Sequence, residues 1–249
     1  MGVLRSVGKA VLVFEHRFLG LLQVSDEVYV LKEGRLVRVR HEDLRPRGPV
    51  SVPAAVPRGD MRRVGGEGRG YDELIRVEDL WFRYDAGSPW ILSGVSLRVG
   101  GRGDYVVIYG RNGSGKSTLL KLIAGHLSPT RGSIARRSRV VYLPQNIYLF
   151  FTEESVAKEL EVLCASHGRG AECVERGTRR LRAMGVDVDL GRSPFNLSWG
   201  QAIRLAISMA TSLGDDTTLL MDEPFTGLTY PDRICLLYTS DAADERSSV

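Results

Sequence analysis

The stretch "YVVIYGRNGSGKSTLLKLIAGHL", residues 105–127, limits the possible folds more than any other part of this chain. It contains the pattern G-x-x-x-x-G-K-[ST], with Gly110, Gly115, Lys116 and Ser117 at the defining positions. The apolar run before it fits a buried parallel strand, and helix formers follow it. Glycines let backbone N–H groups approach phosphate oxygens, and a helix N-terminus favours an anion. A simple glycine-rich turn is the alternative, but strand, loop and helix together favour phosphate binding.

A second apolar stretch, "TTLLMDEP", ends in two adjacent carboxylates, Asp222 and Glu223. On its own, this pattern is best interpreted as an acidic loop that begins before a proline. Beside a phosphate-binding loop, Asp222 is placed to hold Mg²⁺, and Glu223 to orient or deprotonate a water that attacks the γ-phosphate. We therefore expect both stretches to contribute to one site.

The stretch "NLSWGQAIRLAISMA" lies between these two motifs, and Ser198 is a suitable N-cap for an amphipathic helix there. The string "LSWGQ" resembles the LSGGQ signature of ABC (ATP-binding cassette) ATPases, with Trp199 in place of the first glycine. Tyr84 matches the aromatic A-loop residue of that family, and Gln145 matches its Q-loop.

The start of the family's D-loop is matched by Thr226 to Leu228, although Thr229 stands where the family has an aspartate. That departure places communication across the ABC dimer interface in question.

The first 44 residues contain "VLVFEHRFLGLLQVSDEVYVLKEGRLVRV", which resembles the C-terminal part of an ABC domain. The resemblance makes His16 a switch histidine, whereas a lone histidine at a strand end is usually only solvated. We expect residues 1–44 to be the end of one ABC domain, 45–73 a Pro/Gly-rich linker and 74–233 a truncated second domain. Residues 234–249 have the character of a non-native tail. Packing of the first segment in place of the missing C-terminal strands, as in a circular permutation, stays open.

The predicted fold class is α/β, a P-loop NTPase of ABC type with a mainly parallel core. An antiparallel β-subdomain is expected over residues 74–105 and a helical subdomain over about 146–195. Within the latter, Thr152 is the expected cap of the first helix.

The resemblance implies a set of site residues. The expected catalytic residues are Glu223, Gln145 and His16, and the expected Mg²⁺ ligands are Ser117, Gln145 and Asp222. The expected contacts to ATP are Tyr84, Gly110, Asn112, Gly113, Ser114, Gly115, Lys116, Ser117, Thr118, Ser198, Gly200 and Gln201.

ABC sites are composite, because each ATP lies between the P-loop of one domain and the signature of another. The resemblance therefore implies halves of two sites. One half contains Lys116, Gln145, Asp222 and Glu223, and the other contains His16, over which Ser198 and Gly200 close with the γ-phosphate between them. On this reading the isolated chain binds ATP weakly and does not hydrolyse it at a useful rate.

The aromatic string "IYLFF" after Gln145 is similar to the ATPases of energy-coupling factor importers, which take up vitamins or metal ions. That similarity implies a second ABC domain and integral-membrane subunits as partners, and a peripheral position on the cytoplasmic face of the membrane. A soluble tandem ABC protein that acts on the ribosome is the alternative. Chromosome-maintenance ATPases fit poorly, because no sustained heptads separate Lys116 from Ser198. A regulatory module without hydrolysis is opposed by Glu223.

Composition adds few limits. The net charge of +4 comes without a dense Lys/Arg block, so a nucleic-acid partner is not expected. Cys164, Cys173 and Cys235 form no C-x-x-C pair, which favours reduced thiols. No apolar run approaches the ~20 residues of a membrane span.

Overall fold

The structure, a computed structural model, describes residues 9–16, 21, 25–40, 73–101, 103–214 and 216–228. The strands are β1 (Ala10–Glu15), β2 (Glu27–Lys32), β3 (Arg35–Val39), β4 (Ile75–Phe82), β5 (Leu92–Val99), β6 (Tyr105–Tyr109), β7 (Arg131–Arg136), β8 (Arg139–Leu143) and β9 (Thr217–Asp222). The α-helices are α1 (Lys116–Ala124), α2 (Val156–Ser166), α3 (Ala171–Ala183) and α4 (Trp199–Ser212). The predicted tail, Thr229, and all of the predicted linker except Glu73 lie outside the described residues.

The central sheet has six strands in the order β3-β2-β6-β1-β9-β8. All neighbours are parallel except β2 and β3, which form an antiparallel hairpin. This arrangement of a mainly parallel sheet with helices and a separate antiparallel sheet confirms the predicted fold class.

Strand β1 lies between the two strands that carry the main sequence motifs. Val13 pairs with Val107 of β6 on one side and with Met221 of β9 on the other. All six β1 residues are buried, as expected for a strand that is covered on both faces. The first segment thus packs in the place of the missing C-terminal strands, an arrangement that the sequence alone did not decide. Its assignment to an upstream domain stays a prediction.

Two hydrophobic clusters cover the two faces of the central sheet. Val11 and Val13 pack into the cluster on the side of α2, α3 and α4. Leu12 and Phe14 point the other way, into the cluster formed with α1 and the antiparallel sheet. The alternation follows from the period of two of a β-strand, so β1 contributes to both halves of the core.

The antiparallel sheet has the order β5-β4-β7. Its third strand, β7, lies outside the predicted range of 74–105 and is mostly exposed. Its sequence, "RGSIAR", has a single isoleucine among polar and small residues. Apolar periodicity therefore gave no signal for this strand.

Helices α2 and α3 form the predicted helical region, but the predicted cap of α2 is wrong. Ser155, not Thr152, is the N-cap, and its hydroxyl accepts a hydrogen bond from the backbone of Lys158 at 3.3 Å. The Thr152 backbone N–H instead donates to the carboxylate of Glu159, which is buried inside the first turn.

The prediction of reduced thiols is wrong for two of the three cysteines. Cys164, near the end of α2, and Cys173, near the start of α3, form a disulfide across Cα atoms 6.0 Å apart. The turn between these helices brings the two side chains together, and nothing in the spacing reveals that proximity. Cys235 lies outside the described residues.

Candidate nucleotide-binding site

A cavity of about 560 Å³ opens where β6 ends and α1 begins. One wall consists of the glycine-rich loop and the first turn of α1, residues 112–118. Gln145 and Glu223 also line it, and a further wall contains Trp90 and the turn between β2 and β3. The glycine-rich loop and the first turn of α1 therefore share one cavity with Gln145 and Glu223.

The glycine-rich loop requires glycine at two positions for different reasons. Gly115, the N-cap of α1, has φ of 98°, in the left-handed region that favours glycine. A Cβ at Gly110 would lie 2.6 Å from the carbonyl oxygen of Leu31 and 2.7 Å from the hydroxyl of Ser114. The loop therefore runs close to β2, and its backbone faces the cavity.

Lys116 is buried at the base of this loop, with 5% of its surface exposed. Its ammonium donates hydrogen bonds to the carbonyl oxygens of Gly110 at 2.9 Å and Arg111 at 3.1 Å. It also lies 3.7 Å from Glu223 Oε1. A buried cation held in this way is well suited to pair with phosphate oxygens.

Glu223 is the point at which the polar residues of the site meet. Its Oε2 accepts a hydrogen bond from Gln145 Nε2 at 3.1 Å, and its Oε1 lies 2.8 Å from His16 Nδ1. Its backbone has φ of 48°, which non-glycine residues rarely adopt and which is often found at functional sites.

The assignment of His16 to a different site from Glu223 is wrong. His16 follows β1 directly, and β1 lies beside β9, so both side chains emerge at the same edge of the sheet. The Glu223 backbone N–H also donates to Phe14 of β1 at 2.9 Å. The role that the resemblance gives to His16 stays a prediction, and no local sequence pattern encodes the position in the sheet that decides which residues it contacts.

The backbone of His16 is held from two directions. Its N–H donates to the side chain of Glu15 at 2.8 Å. Its carbonyl oxygen accepts a hydrogen bond from the hydroxyl of Tyr109, the last residue of β6. These contacts fix the point at which the imidazole leaves the sheet.

Asp222 has the environment expected of a Mg²⁺ ligand. Its carboxylate accepts a hydrogen bond from Ser117, but Oδ1 is buried and has no hydrogen-bond partner among the described residues. Burial is the main cause that raises the pKa of Asp222, and the hydrogen bond from Ser117 opposes it. Burial and the nearby Asp222 carboxylate raise the pKa of Tyr142 to about 12. A hydroxyl and a carboxylate with a free oxygen fit the oxygen ligands that Mg²⁺ prefers.

Tyr84 lies at the rim and is not among the residues that line the cavity. It is 58% exposed, packs edge-on against Phe82 at 5.0 Å between ring centroids, and its hydroxyl is 3.4 Å from Thr118 Oγ1. Trp90 and Glu33 line the cavity instead, and neither was predicted as a site residue from the sequence. An aromatic residue before a strand and an acidic residue in a hairpin turn give no specific signal.

The signature residues lie away from this cavity. Ser198 is the N-cap of α4 and forms a capping box with Gln201, whose side chain accepts a hydrogen bond from the Ser198 backbone at 3.0 Å. Trp199 packs edge-on against Tyr148 at 5.6 Å between ring centroids. Ser198, Gly200 and Gln201 are not among the residues that line the cavity.

An apolar surface, formed by Tyr148, Leu149 and Phe195, lies beside the signature. Leu149 is 74% exposed and Phe195 is 52% exposed. The Tyr148 ring lies 6.4 Å from that of Phe195 in a stacked arrangement, and its hydroxyl donates to the Leu197 carbonyl at 2.7 Å. Within the described ranges, no helix has the length and apolar character needed to cross a bilayer.

Comparisons with known proteins agree with this geometry. The Energy-coupling factor transporter ATP-binding protein EcfA2 of Streptococcus sanguinis is 33% identical over 176 residues, which is 62% of each chain. A Pyrococcus abyssi protein named as a candidate ABC transporter ATP-binding protein is 37% identical over 169 residues, or 62% of this chain and 64% of the relative. This chain thus spans less than two thirds of the length of these curated relatives.

A solved structure of the ATP binding subunit of an ABC transporter has a TM-score of 0.57 and 29% identity, and the match covers 66% of this chain and 71% of that one. The dimeric structure of MJ0796, a bacterial ABC transporter cassette, has the same fold at a TM-score of 0.54. The profile of the family described as "ABC transporter" matches residues 92–226, which include the glycine-rich loop and the strand that ends at Asp222. Because that match covers more than half of the sequence, the chain belongs to the ABC transporter family.

Proposed function

We propose that this chain binds and hydrolyses ATP as the ATPase component of an importer of the energy-coupling factor type. The observation that carries the proposal is that Glu223 lines the cavity beside the glycine-rich loop and its carboxylate lies close to Lys116, Gln145 and His16. These groups supply a cation for phosphate, an acceptor for a water proton and side chains that orient the acceptor.

In the proposed mechanism, the backbone of residues 112–115 and the N-terminus of α1 hold the phosphate groups of ATP. Lys116 turns from the carbonyls of its own loop toward the outer phosphates. Ser117 and Asp222, assisted by Gln145, would hold Mg²⁺, which supplies charge neutralisation for the phosphoryl group when bound. The unpartnered Oδ1 of Asp222 supports this assignment.

Glu223 accepts the proton of the attacking water, or orients that water, so that the water oxygen forms a bond to the γ-phosphorus in line with the P–O bond to ADP that breaks. His16 and Gln145 contact opposite oxygens of its carboxylate, so they fix the direction in which it faces. All three side chains act within one chain, which replaces the expectation that this site lacks its own histidine.

The remaining part of the site comes from a second module. Ser198 and Gly200 lie away from the cavity of their own chain, and the N-terminus of α4 is suited to a phosphate. We therefore propose that the signature of one module closes over the nucleotide held by another. Turnover then requires two modules, and the isolated chain hydrolyses ATP only to the extent that it pairs.

A complementation assay tests this. Lys116→Ala removes the phosphate-binding cation but leaves the signature intact. Ser198→Asp preserves the helix cap, because aspartate caps as well as serine, but places a negative charge toward the phosphate. Each variant alone should be inactive, and an equal mixture should regain turnover through pairs that contain one intact pocket and one intact signature. A mixture as inactive as its components would refute the composite site, and full activity of Lys116→Ala would refute the ATPase itself.

The apolar surface formed by Tyr148, Leu149 and Phe195 supports the proposal of a membrane-bound partner. The exposed Leu149 and Phe195 beside the Q-loop offer apolar area for a helical segment of an integral-membrane subunit, which supports a peripheral position on the cytoplasmic face of the membrane. The similarity to EcfA2, an energy-coupling factor transporter ATP-binding protein, supports this type of transporter, and the resemblance of the string after Gln145 to such importers implies a vitamin or a metal ion as the substrate. Affinity purification from the source membrane should recover an integral-membrane protein, and Leu149→Asp should abolish that recovery. Recovery of ribosomal particles instead would favour the translation role.

A further inference from the structure

The wall of the nucleotide cavity that faces the glycine-rich loop contains two residues outside every motif, Glu33 and Trp90. We propose that they form the nucleoside end of the pocket: the Trp90 indole packs against the nucleoside, and the Glu33 carboxylate accepts hydrogen bonds from the ribose hydroxyls. This inference rests on the proposed ATPase function and extends it to recognition of the sugar.

The backbone at Glu33 is unfavourable for this residue type. Glu33 and Gly34 form the two-residue turn between β2 and β3, and both have positive φ, 51° and 73°. Turns of this kind favour Asn-Gly, because asparagine tolerates the left-handed region better than glutamate does. A glutamate kept in a strained conformation at the edge of a ligand cavity points to a role for its side chain.

The turn is seated firmly against the start of β5. The Ser93 backbone N–H donates to the Gly34 carbonyl at 2.8 Å, and a Cβ at Gly34 would lie 2.5 Å from the carbonyl oxygen of Ile91. A Cβ at Gly115 would likewise lie 3.2 Å from Ile91 Cγ2. Ile91 therefore joins the hairpin turn to the phosphate-binding loop, and Glu33 has a fixed place relative to both.

The side chain of Glu33 is exposed, and within residues 25–40 and the other described segments it has no hydrogen-bond or ion-pair partner. A carboxylate repels phosphate, so it does not serve the end of the cavity marked by Lys116. Ribose hydroxyls are hydrogen-bond donors and match an ionised carboxylate, which only accepts. The chemistry of Glu33 therefore fits the sugar.

The ring of Trp90 lines the cavity and is held by other side chains. The Arg83 guanidinium lies 4.6 Å from its ring centroid, and Trp81 packs edge-on at 5.3 Å. Both contacts restrict the indole, and an aromatic ring fixed in this way stacks on a base with little preference for its identity. We therefore expect Trp90 to contribute affinity, whereas Glu33 selects for ribose.

The test compares binding of ATP and of 2′,3′-dideoxy-ATP by titration calorimetry with the full chain. Wild type should bind ATP roughly tenfold more tightly, the loss expected for hydrogen bonds to a charged acceptor. Glu33→Asn should remove this preference while it unfolds at the same or a higher temperature, since asparagine relieves the turn. Glu33→Gln, which keeps the shape without the charge, should weaken the preference. Trp90→Ala should weaken both nucleotides equally, and Trp90→Phe should restore most of the binding.

The exposed carboxylate Glu172, on α3, provides the matched control, and Glu172→Gln should bind both nucleotides as wild type does. ATP binding that depends on Lys116 with an unchanged ribose preference in Glu33→Asn would overturn this inference alone. Absence of ATP binding in wild type, or binding that Lys116→Ala leaves intact, would overturn the proposed function and this inference with it.

Discussion

Replacement of Leu12 by alanine tests the central position of β1. Leu12 is fully buried between Val106 of β6 and Leu220 of β9. The change removes apolar surface worth about 2 kcal/mol at about 0.8 kcal/mol per methylene. The cavity left behind adds to this, and such changes in protein cores cost about 2.7–5 kcal/mol. That is a large part of a typical stability of about 5–15 kcal/mol.

Urea unfolding followed by circular dichroism measures this loss, and the melting temperature should fall by roughly 6–20 °C. Leu149→Ala is the matched control, because Leu149 is 74% exposed and its replacement should change stability by less than about 0.5 kcal/mol. If Leu12→Ala costs no more than Leu149→Ala, β1 does not lie between β6 and β9, and the position of His16 beside Glu223 has no support.

Three further predictions follow from the site and the helical region. His16→Ala should lower kcat roughly 10²-fold, with little change in ATP affinity, because the His16 imidazole positions Glu223 and does not hold the phosphates of bound ATP. A rise in KM with an unchanged kcat would contradict this. Burial raises the pKa of Asp222 above its unfolded value of about 3.9, so its ionisation lowers the free energy of unfolding as the pH rises from that value. Asp222→Asn should remove this loss of stability and raise the melting temperature at pH 7 in the absence of Mg²⁺ and nucleotide. A melting temperature that depends on pH in the same way in Asp222→Asn and in wild type would contradict this prediction. Cys164→Ser should lower the free energy of unfolding by about 2–3 kcal/mol, the value for a short closed loop, and the same loss should follow reduction of wild type.

The motifs that act through local backbone were predictable from the sequence. The glycine-rich loop, the strand that ends at Asp222 and the capping box at Ser198 each need residues within a few positions, so their spacing carries the information. The resemblance to ABC ATPases supplied Gln145 and His16 in the same way. These predictions identify the chemistry of the site.

The features that depend on distant contacts were not predictable. The partner of His16 depends on the order of strands in the sheet, and the proximity of Cys164 to Cys173 depends on how two helices turn. The wall residues Glu33 and Trp90 reach the cavity only because the β2–β3 turn packs on the start of β5. No local pattern encodes any of these, because each results from tertiary packing.

The placement of β1 also has a kinetic consequence. Val11 pairs with both Tyr105 and Leu219, so β1, the first of the described strands, bridges partners that lie midway along and near the end of the described chain. Contacts of such long sequence separation close slowly, because much chain entropy is lost before they form. During that delay the apolar run of β1 is exposed to other copies, and the same strand that completes the sheet in one molecule can insert into a neighbour, which makes exchange of β1 the characteristic route to a misassembled dimer.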